Sequence, residues 1–261
     1  IESNSIRQKA INDFNKLIYQ QEISINLNKL CLCGSNRFEK LTEFDRYGLP
    51  FPNQICIDCG LISQIYSISN DTIGLFYDRI YWPLTKGTHD SKNYFTPTVN
   101  SDFINFIDEC IDKKKNNIKI FEIGVGTGEK ILSLKSHFDS LGINADMYAC
   151  DYSTDIIKFL KNKKINCVIG GCNALKQFGK ADIIILSHVL EHFTDIKKEL
   201  EVVKDLSDDT TLIYVEVPGV KNLKNNRHYN YDFQDFSVLA HIHNFTLTTL
   251  TNTMFINQLY L

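Results

Sequence analysis

The sequence is short of several things, and each shortage narrows what it can be. It has 5 prolines and 13 glycines in 261 residues, too few and too scattered for a collagen-like, low-complexity or wholly disordered chain. It has no run of about 18 apolar residues, so no membrane-spanning helix is expected. It has no excess of cations: 28 Lys and Arg stand against 31 Asp and Glu, for a net charge of −3. That balance argues against a protein that holds nucleic acid mainly through phosphate contacts. The first residues, Ile1-Glu2-Ser3-Asn4-Ser5-Ile6-Arg7, show no basic stretch leading into an apolar one. No secretory leader is read there, and the cytoplasm is the expected compartment. In that setting the eight cysteines read as thiols or metal ligands rather than disulfides.

What is present falls into two parts, expected at residues 1–95 and 96–261. Up to about Glu22, Ile6, Ala10, Ile11, Phe14, Leu17 and Ile18 recur at the spacing of one amphipathic helix. From Cys31 to about Ile68, short β-prone runs are broken by Gly34, Gly48, Pro50, Pro52 and Gly60. An aromatic stretch follows, with Phe76, Tyr77, Tyr81, Trp82, Tyr94 and Phe95. From about Ser101 strands and helices alternate. Ile118–Ile123, Met147–Cys150, Cys167–Ile169, Ala181–Leu186 and Leu212–Val217 read as strands. Ile131, Leu134, Phe138 and Leu141, then Asp155–Lys163 and Ile196–Leu206, read as helices between them. This predicts an α/β fold: a Rossmann-like, doubly wound, mostly parallel sheet behind a small N-terminal module. After a helical Leu247–Leu250, only Phe255–Leu261 remains to supply edge strands.

The sharpest pattern is Phe121-Glu122-Ile123-Gly124-Val125-Gly126-Thr127-Gly128-Glu129, between an apolar strand and a helix. Glycines at every second position let the backbone turn tightly and approach a ligand, while the helix start presents unpaired N–H groups. A dinucleotide fingerprint would read G-x-G-x-x-G, to seat a pyrophosphate. Here the loop is G-x-G-x-G, with Glu122 two residues ahead. A carboxylate there repels a diphosphate and accepts hydrogen bonds from an ammonium group. Asp151 ends the next strand, where a carboxylate can accept both hydroxyls of a ribose.

These residues resemble the E/D-x-G-x-G-x-G motif of the class I S-adenosylmethionine-dependent methyltransferases, whose second strand ends in an acidic residue. The resemblance runs from about Lys119 to Val217. It implies that Glu122, Gly124, Gly126 and Gly128 surround the methionine part of S-adenosylmethionine, and that Asp151 holds its ribose. It also places Tyr152 near the adenine. Where the family often has an Asp and a small residue after strand three, this chain has Cys172-Asn173-Ala174, which puts Asn173 in the hydrogen-bonding place. Ser187-His188-Val189-Leu190-Glu191-His192 is similar to the family's fourth-strand segment ending L-E-H. By that likeness Ser187 or His188 borders the cofactor, and Glu191 and His192 face the catalytic cleft. The same residues spell H-x-x-E-H, an inverted zinc-protease motif. That chemistry needs both histidines on one face of a helix, whereas this stretch directly follows a strand. A plainer reading has Glu191 and His192 capping or pairing beside the following helix.

Cys31-Leu32-Cys33-Gly34 and Cys56-Ile57-Asp58-Cys59-Gly60 form two close pairs, each followed by glycine. That pattern suits four-thiolate binding of a structural zinc ion, although the first pair is C-x-C where the usual knuckle is C-x-x-C. Cys110, Cys150, Cys167 and Cys172 read as small buried hydrophobes. The order C-x-C-G, D-R-Y-G-L-P (from Asp45), C-x-x-C-G-L, methyltransferase core and H-x-H-x-F-T (from His241) resembles a bacterial subfamily that methylates sugars of surface polysaccharides or secondary metabolites. The resemblance implies a carbohydrate-derived small-molecule acceptor. Histidine suits removal of the acceptor's proton. His192, His241 and His243 are the candidates, with Glu191 orienting or substituting, while Arg227, Tyr229 and Tyr231 follow the fifth strand, where acceptor loops belong. Two alternatives stand beside this one: an RNA methyltransferase reading RNA through the cysteine module, and a nonenzymatic zinc-stapled binding module. Against RNA, Arg37, Lys40 and Arg46 are balanced by Glu39, Glu43, Asp45 and Asp58 between Cys31 and Cys59. The oligomeric state is left open.

Overall fold

The strands lie where the sequence alternates apolar runs with turn residues: β1 (Ile25–Leu27), β2 (Phe38–Lys40), β3 (Asn53–Cys56), β4 (Ile62–Gln64), β5 (Tyr66–Ile68), β6 (Asn117–Ile123), β7 (Asn144–Asp151), β8 (Asn166–Ile169), β9 (Ile183–Ser187), β10 (Leu212–Glu216) and β11 (His243–Asn244). They belong to a computed structural model that describes residues 4–88, 101–111, 117–225 and 227–259. The expected boundary at 95/96, and Tyr94 and Phe95 beside it, lie outside the described residues. The chain divides into two compact units. One comprises the residues up to Gly87, Leu190–Lys198 and the chain from Val217; the other comprises Thr88–Val189 and Glu199–Glu216. Among the described residues no helix is long and apolar enough to cross a membrane.

The second unit is built on a five-stranded sheet in the order β10-β9-β6-β7-β8, with every pairing parallel. Its central strands are apolar because both faces are covered: Ile183, Ile184, Ile185 and Leu186 of β9 are all buried. The helix Glu129–Leu141 buries Ile131, Leu134 and Phe138, whereas Leu141, on the same predicted stripe, is 51% exposed at the helix end. Chain order runs one way from β6 to β8 and the other way from β9 to β10. The reversal falls between β6 and β9, and in such sheets the crevice beyond the strand ends at the reversal is where ligands bind.

The first unit carries an antiparallel sheet, β11-β4-β3-β2, and a separate β1-β5 pair. Asn4 accepts the Arg7 N–H at 2.8 Å and starts the helix Ser5–Tyr19, which buries Ala10, Phe14 and Leu17. The aromatic stretch is helical from Ile73 to Lys86, with one wider π-helical turn at Tyr77–Tyr81. The C-terminal part departs from expectation. Phe255 and Ile256 make no edge strand; they close the helix Leu247–Ile256, which a reciprocal Thr246–Thr249 cap begins and no glycine or proline interrupts. The late strand is instead β11, which pairs with β4 of the cysteine-bearing sheet.

Candidate functional site

Gly124, Gly126 and Gly128 all have positive φ, at +61°, +52° and +75°. The outer two are demanded by packing: a Cβ on Gly124 would lie 2.7 Å from the Val189 side chain, and one on Gly128 would lie 2.6 Å from Leu160. Gly126 is different. A Cβ there would project into open space, its nearest neighbour the Gly124 carbonyl at 3.9 Å. Among the described residues, no side chain comes within 4 Å of that point, so the loop keeps a clear space there. Asp151 closes one side. Its Oδ2 accepts the Gly126 N–H at 3.0 Å and its Oδ1 the Ser153 N–H at 2.8 Å. Burial raises its pKa, and those backbone hydrogen bonds oppose the rise.

Glu122 sits beneath the loop, 4% exposed. Its Oε2 accepts the Ile131 N–H at 2.9 Å, so it caps the first turn of the helix. Burial pushes its pKa up to about 8, against the pull of that hydrogen bond and of Lys130. Tyr152 is half-buried, with its hydroxyl 2.8 Å from where a Cβ on Gly171 would stand. Asn173 is exposed on the short 3-10 helix Cys172–Phe178. Ser187 ends β9, and His188 follows with an exposed ring and a left-handed backbone, φ +55°.

One residue of this region was missed from the sequence. Glu216, opposite Ser187 in the β9–β10 register, accepts hydrogen bonds from Ser187 Oγ at 2.9 Å and the Tyr214 hydroxyl at 3.2 Å. It also pairs with Lys130 Nζ at 2.9 Å. Burial alone would raise the Glu216 pKa, but the Lys130 and Ser187 hydrogen bonds hold it below the ordinary value. An acidic residue ending a strand was the available signal. The ring of Phe103, 4.6 Å from Lys130 Nζ, completes the seat of the ammonium group.

In the first unit, Glu191, His192 and His241 come together, one ligand-type atom of each within 4.8 Å of the others. Glu191 and His192 lie on the 3-10 turn Leu190–His192, so H-x-x-E-H does not occupy a helix. The Nδ1 of His192 is 2.8 Å from the Ala240 carbonyl and 2.9 Å from the Tyr77 hydroxyl. Tyr77 and Tyr81, both on the π-helical turn, set their rings edge-on to His192 at 5.9 and 6.0 Å. The sequence marked these tyrosines as part of an aromatic stretch but gave them no role. His243 is not in this cluster. It is buried on β11, its pKa pushed down to about 4 by burial against the opposing pull of the Phe193 backbone. It lines a cavity of about 330 Å³ with Cys31, Leu61, Ser63 and Thr194. Arg227 and Tyr229 form a short 3-10 turn, and Tyr231 is 59% exposed.

Cys31, Cys33, Cys56 and Cys59 converge, with Sγ–Sγ distances of 3.5 Å for Cys31–Cys59 and 3.7 Å for Cys33–Cys56. Four thiolates on a tetrahedral ion with bonds of about 2.3 Å would stand roughly 3.8 Å apart. The two measured pairs stand close to that separation, and all four sulfurs lie within 4.8 Å of one another. Gly34 and Gly60, at φ +87° and +76°, close the two turns. Four neighbouring thiols cannot all ionise together. Burial lifts Cys31 and Cys59, while for Cys56 the Cys59 and Asp58 backbone hydrogen bonds outweigh burial and bring it down to about 7. Asp45, from D-R-Y-G-L-P, is fully buried and accepts the N–H groups of Tyr47, Leu49 and Leu239, each at 2.9 Å. Its work is to hold the backbone. Cys150, Cys167 and Cys172 are buried; Cys110, expected with them, is exposed at the end of the helix Ser101–Cys110.

The profile of a family described as "Methyltransferase domain" matches residues 95–257, more than half of the chain. No curated protein matches in sequence. Among solved structures, a SAM-dependent methyltransferase from Archaeoglobus fulgidus is 18% identical, covering 68% of this chain and 72% of that one with a TM-score of 0.45. The plantazolicin methyltransferase BpumL in complex with SAH is 16% identical, covering 64% of this chain and 68% of that one with a TM-score of 0.48.

Proposed function

The chain belongs to the methyltransferase-domain family, and on that footing we propose that it transfers a methyl group from S-adenosylmethionine to a small carbohydrate-derived acceptor, such as a nucleotide-linked sugar for surface-polysaccharide biosynthesis. One observation carries the donor side. Gly126 keeps an open cradle at the sheet's reversal, with the Asp151 carboxylate beside it. Gly124, Gly126 and Gly128 would bend around the methionine part, and Asp151 would accept the ribose hydroxyls. Glu122 would answer its ammonium group from below. Tyr152 and Asn173 would flank the adenine, and Ser187 and His188 would border the cofactor at the end of β9. When bound, S-adenosylmethionine supplies a methyl group already activated on sulfonium.

The chain's own residues then orient the acceptor and take its proton. A carbonyl only accepts, so the ring proton of His192 sits on Nδ1, donated to Ala240 and shared with Tyr77. Nε2 is then the unprotonated nitrogen and the base in this reading. Glu191, with Oε1 3.8 Å from Nε2, stabilises the imidazolium that forms. His241 lines the same cluster. His243, held neutral by burial, serves packing more than proton transfer. The four cysteines hold a structural zinc ion that fixes the turns carrying them. Thiols in this number suit a reducing compartment such as the cytoplasm.

The acceptor class rests on the arrangement D-R-Y-G-L-P, paired cysteines and H-x-H-x-F-T, whose residues fold together in the first unit. The test is transfer of labelled methyl from S-adenosylmethionine to a panel of nucleotide-linked sugars, with a structured RNA alongside. Labelling of a sugar nucleotide, lost in His192→Ala, is expected. Labelling of the RNA alone would overturn the acceptor class.

A further inference from the structure

The cluster of Glu191, His192 and His241 has a geometry that proton transfer alone does not use. With Nδ1 of His192 donating to Ala240 at 2.8 Å, Nε2 faces Glu191 Oε1 across 3.8 Å. That gap is too wide for a hydrogen bond. It is close to the roughly 3.4 Å between two ligand atoms on a tetrahedral ion with bonds of about 2.1 Å. Giving the second ring N–H to a backbone carbonyl is also how a metal-bound imidazole is oriented. The His241 ring lies 4.8 Å from that of His192 at 82° between planes, so the two imidazoles do not stack and each can present an edge nitrogen. Glu191 is 1% exposed, and a carboxylate that deeply buried gains most from a cation.

We propose that Glu191, His192 and His241 form a second metal site, separate from the four cysteines, for a divalent ion of the zinc type. Two imidazole nitrogens and one carboxylate suit zinc, cobalt, nickel or ferrous iron better than magnesium or calcium. One consequence rests on the reading of His192 as base: an ion on Nε2 occupies the lone pair that would take the acceptor's proton, so zinc bound here inhibits methyl transfer.

The test titrates Co²⁺ into full-length protein whose cysteine site has first been filled with zinc. Expected is a visible d–d spectrum of a nitrogen- and oxygen-bound ion, saturating at one equivalent, without the near-ultraviolet sulfur-to-cobalt band of thiolate ligation. His241→Asn and Glu191→Gln should each weaken this binding at least about tenfold, with far-ultraviolet circular dichroism reporting whether each variant folds. No saturable band, a sulfur band alone, or bands unmoved in both folded variants overturns the site. Zinc should slow wild-type turnover in step with occupancy of the cobalt-competitive site. Saturable binding with undiminished turnover overturns the inhibition and the base reading together. Loss of turnover in His192→Ala without any cobalt binding overturns the metal site alone.

Discussion

Both carboxylate oxygens of Asp151 hold a backbone N–H, from Gly126 and from Ser153, and the carboxylate keeps acceptor capacity for a ligand hydroxyl. Hydrogen bonds to a charged group contribute about 1.5–3 kcal/mol each, so Asp151→Ala should weaken S-adenosylmethionine binding at least tenfold by calorimetry. Unchanged affinity would count against the cradle. Glu122 predicts a pH effect of definite sign. Its pKa rises from 4.5 to about 8 on folding, so between those values the folded chain binds more protons than the unfolded one. Its contribution to stability is full below about pH 4.5 and is lost as the pH climbs through about 8. Thermal melts of the ligand-free protein should fall in Tm from pH 5 to 8.5, and Glu122→Gln, which keeps an acceptor for Ile131, should flatten that fall. The placement of Asp151 and Glu122 beside the glycine loop was legible in the sequence because their offsets from the glycines are fixed by local chain geometry. Tyr77 and Glu216 were not, because tertiary folding brings their partners, His192 and Lys130, from distant stretches of the chain.

On the proposed reading, the glycine loop separates packing from binding within five residues. Gly126→Ala should cost about 1–2 kcal/mol for a left-handed alanine and leave the fold intact, yet weaken the cofactor by filling the cradle. Gly128→Ala adds a 2.6 Å clash with buried Leu160, and should cost about 2–4 kcal/mol, read as a clear drop in Tm. Equal losses of stability in both would contradict the open space at Gly126. The π-helical turn carries a similar argument. It faces Tyr77 and Tyr81 toward His192, so Tyr77→Phe should lower kcat by about tenfold through a looser imidazole, with cofactor affinity unchanged. The alternation of apolar strands and periodic helices made the parallel sheet readable almost strand by strand. The C-terminal region was only partly so: the helical start at Leu247–Leu250 was readable, but two-residue β11 is too short to leave a period, and Phe255 and Ile256 continue the helix rather than form an edge strand.

At the scale of the whole molecule, the cysteine cluster predicts metal-linked stability. Purified protein should retain a tightly held zinc, and its removal with a thiol-reactive mercurial followed by a chelator should lower the Tm and expose the first unit to protease. Retention of full stability without metal would make the four sulfurs ordinary thiols. That unit is also threaded from widely separated parts of the chain: Asp45 holds the Leu239 amide 194 residues away, and β4 waits for β11 to cover its edge. On the ribosome, then, the cysteine-bearing segment cannot finish folding until the distant β11 has emerged. Closing so long a loop makes the cysteine-bearing sheet a late and slow step, during which its open edge and bare thiols stay exposed to misassembly and oxidation.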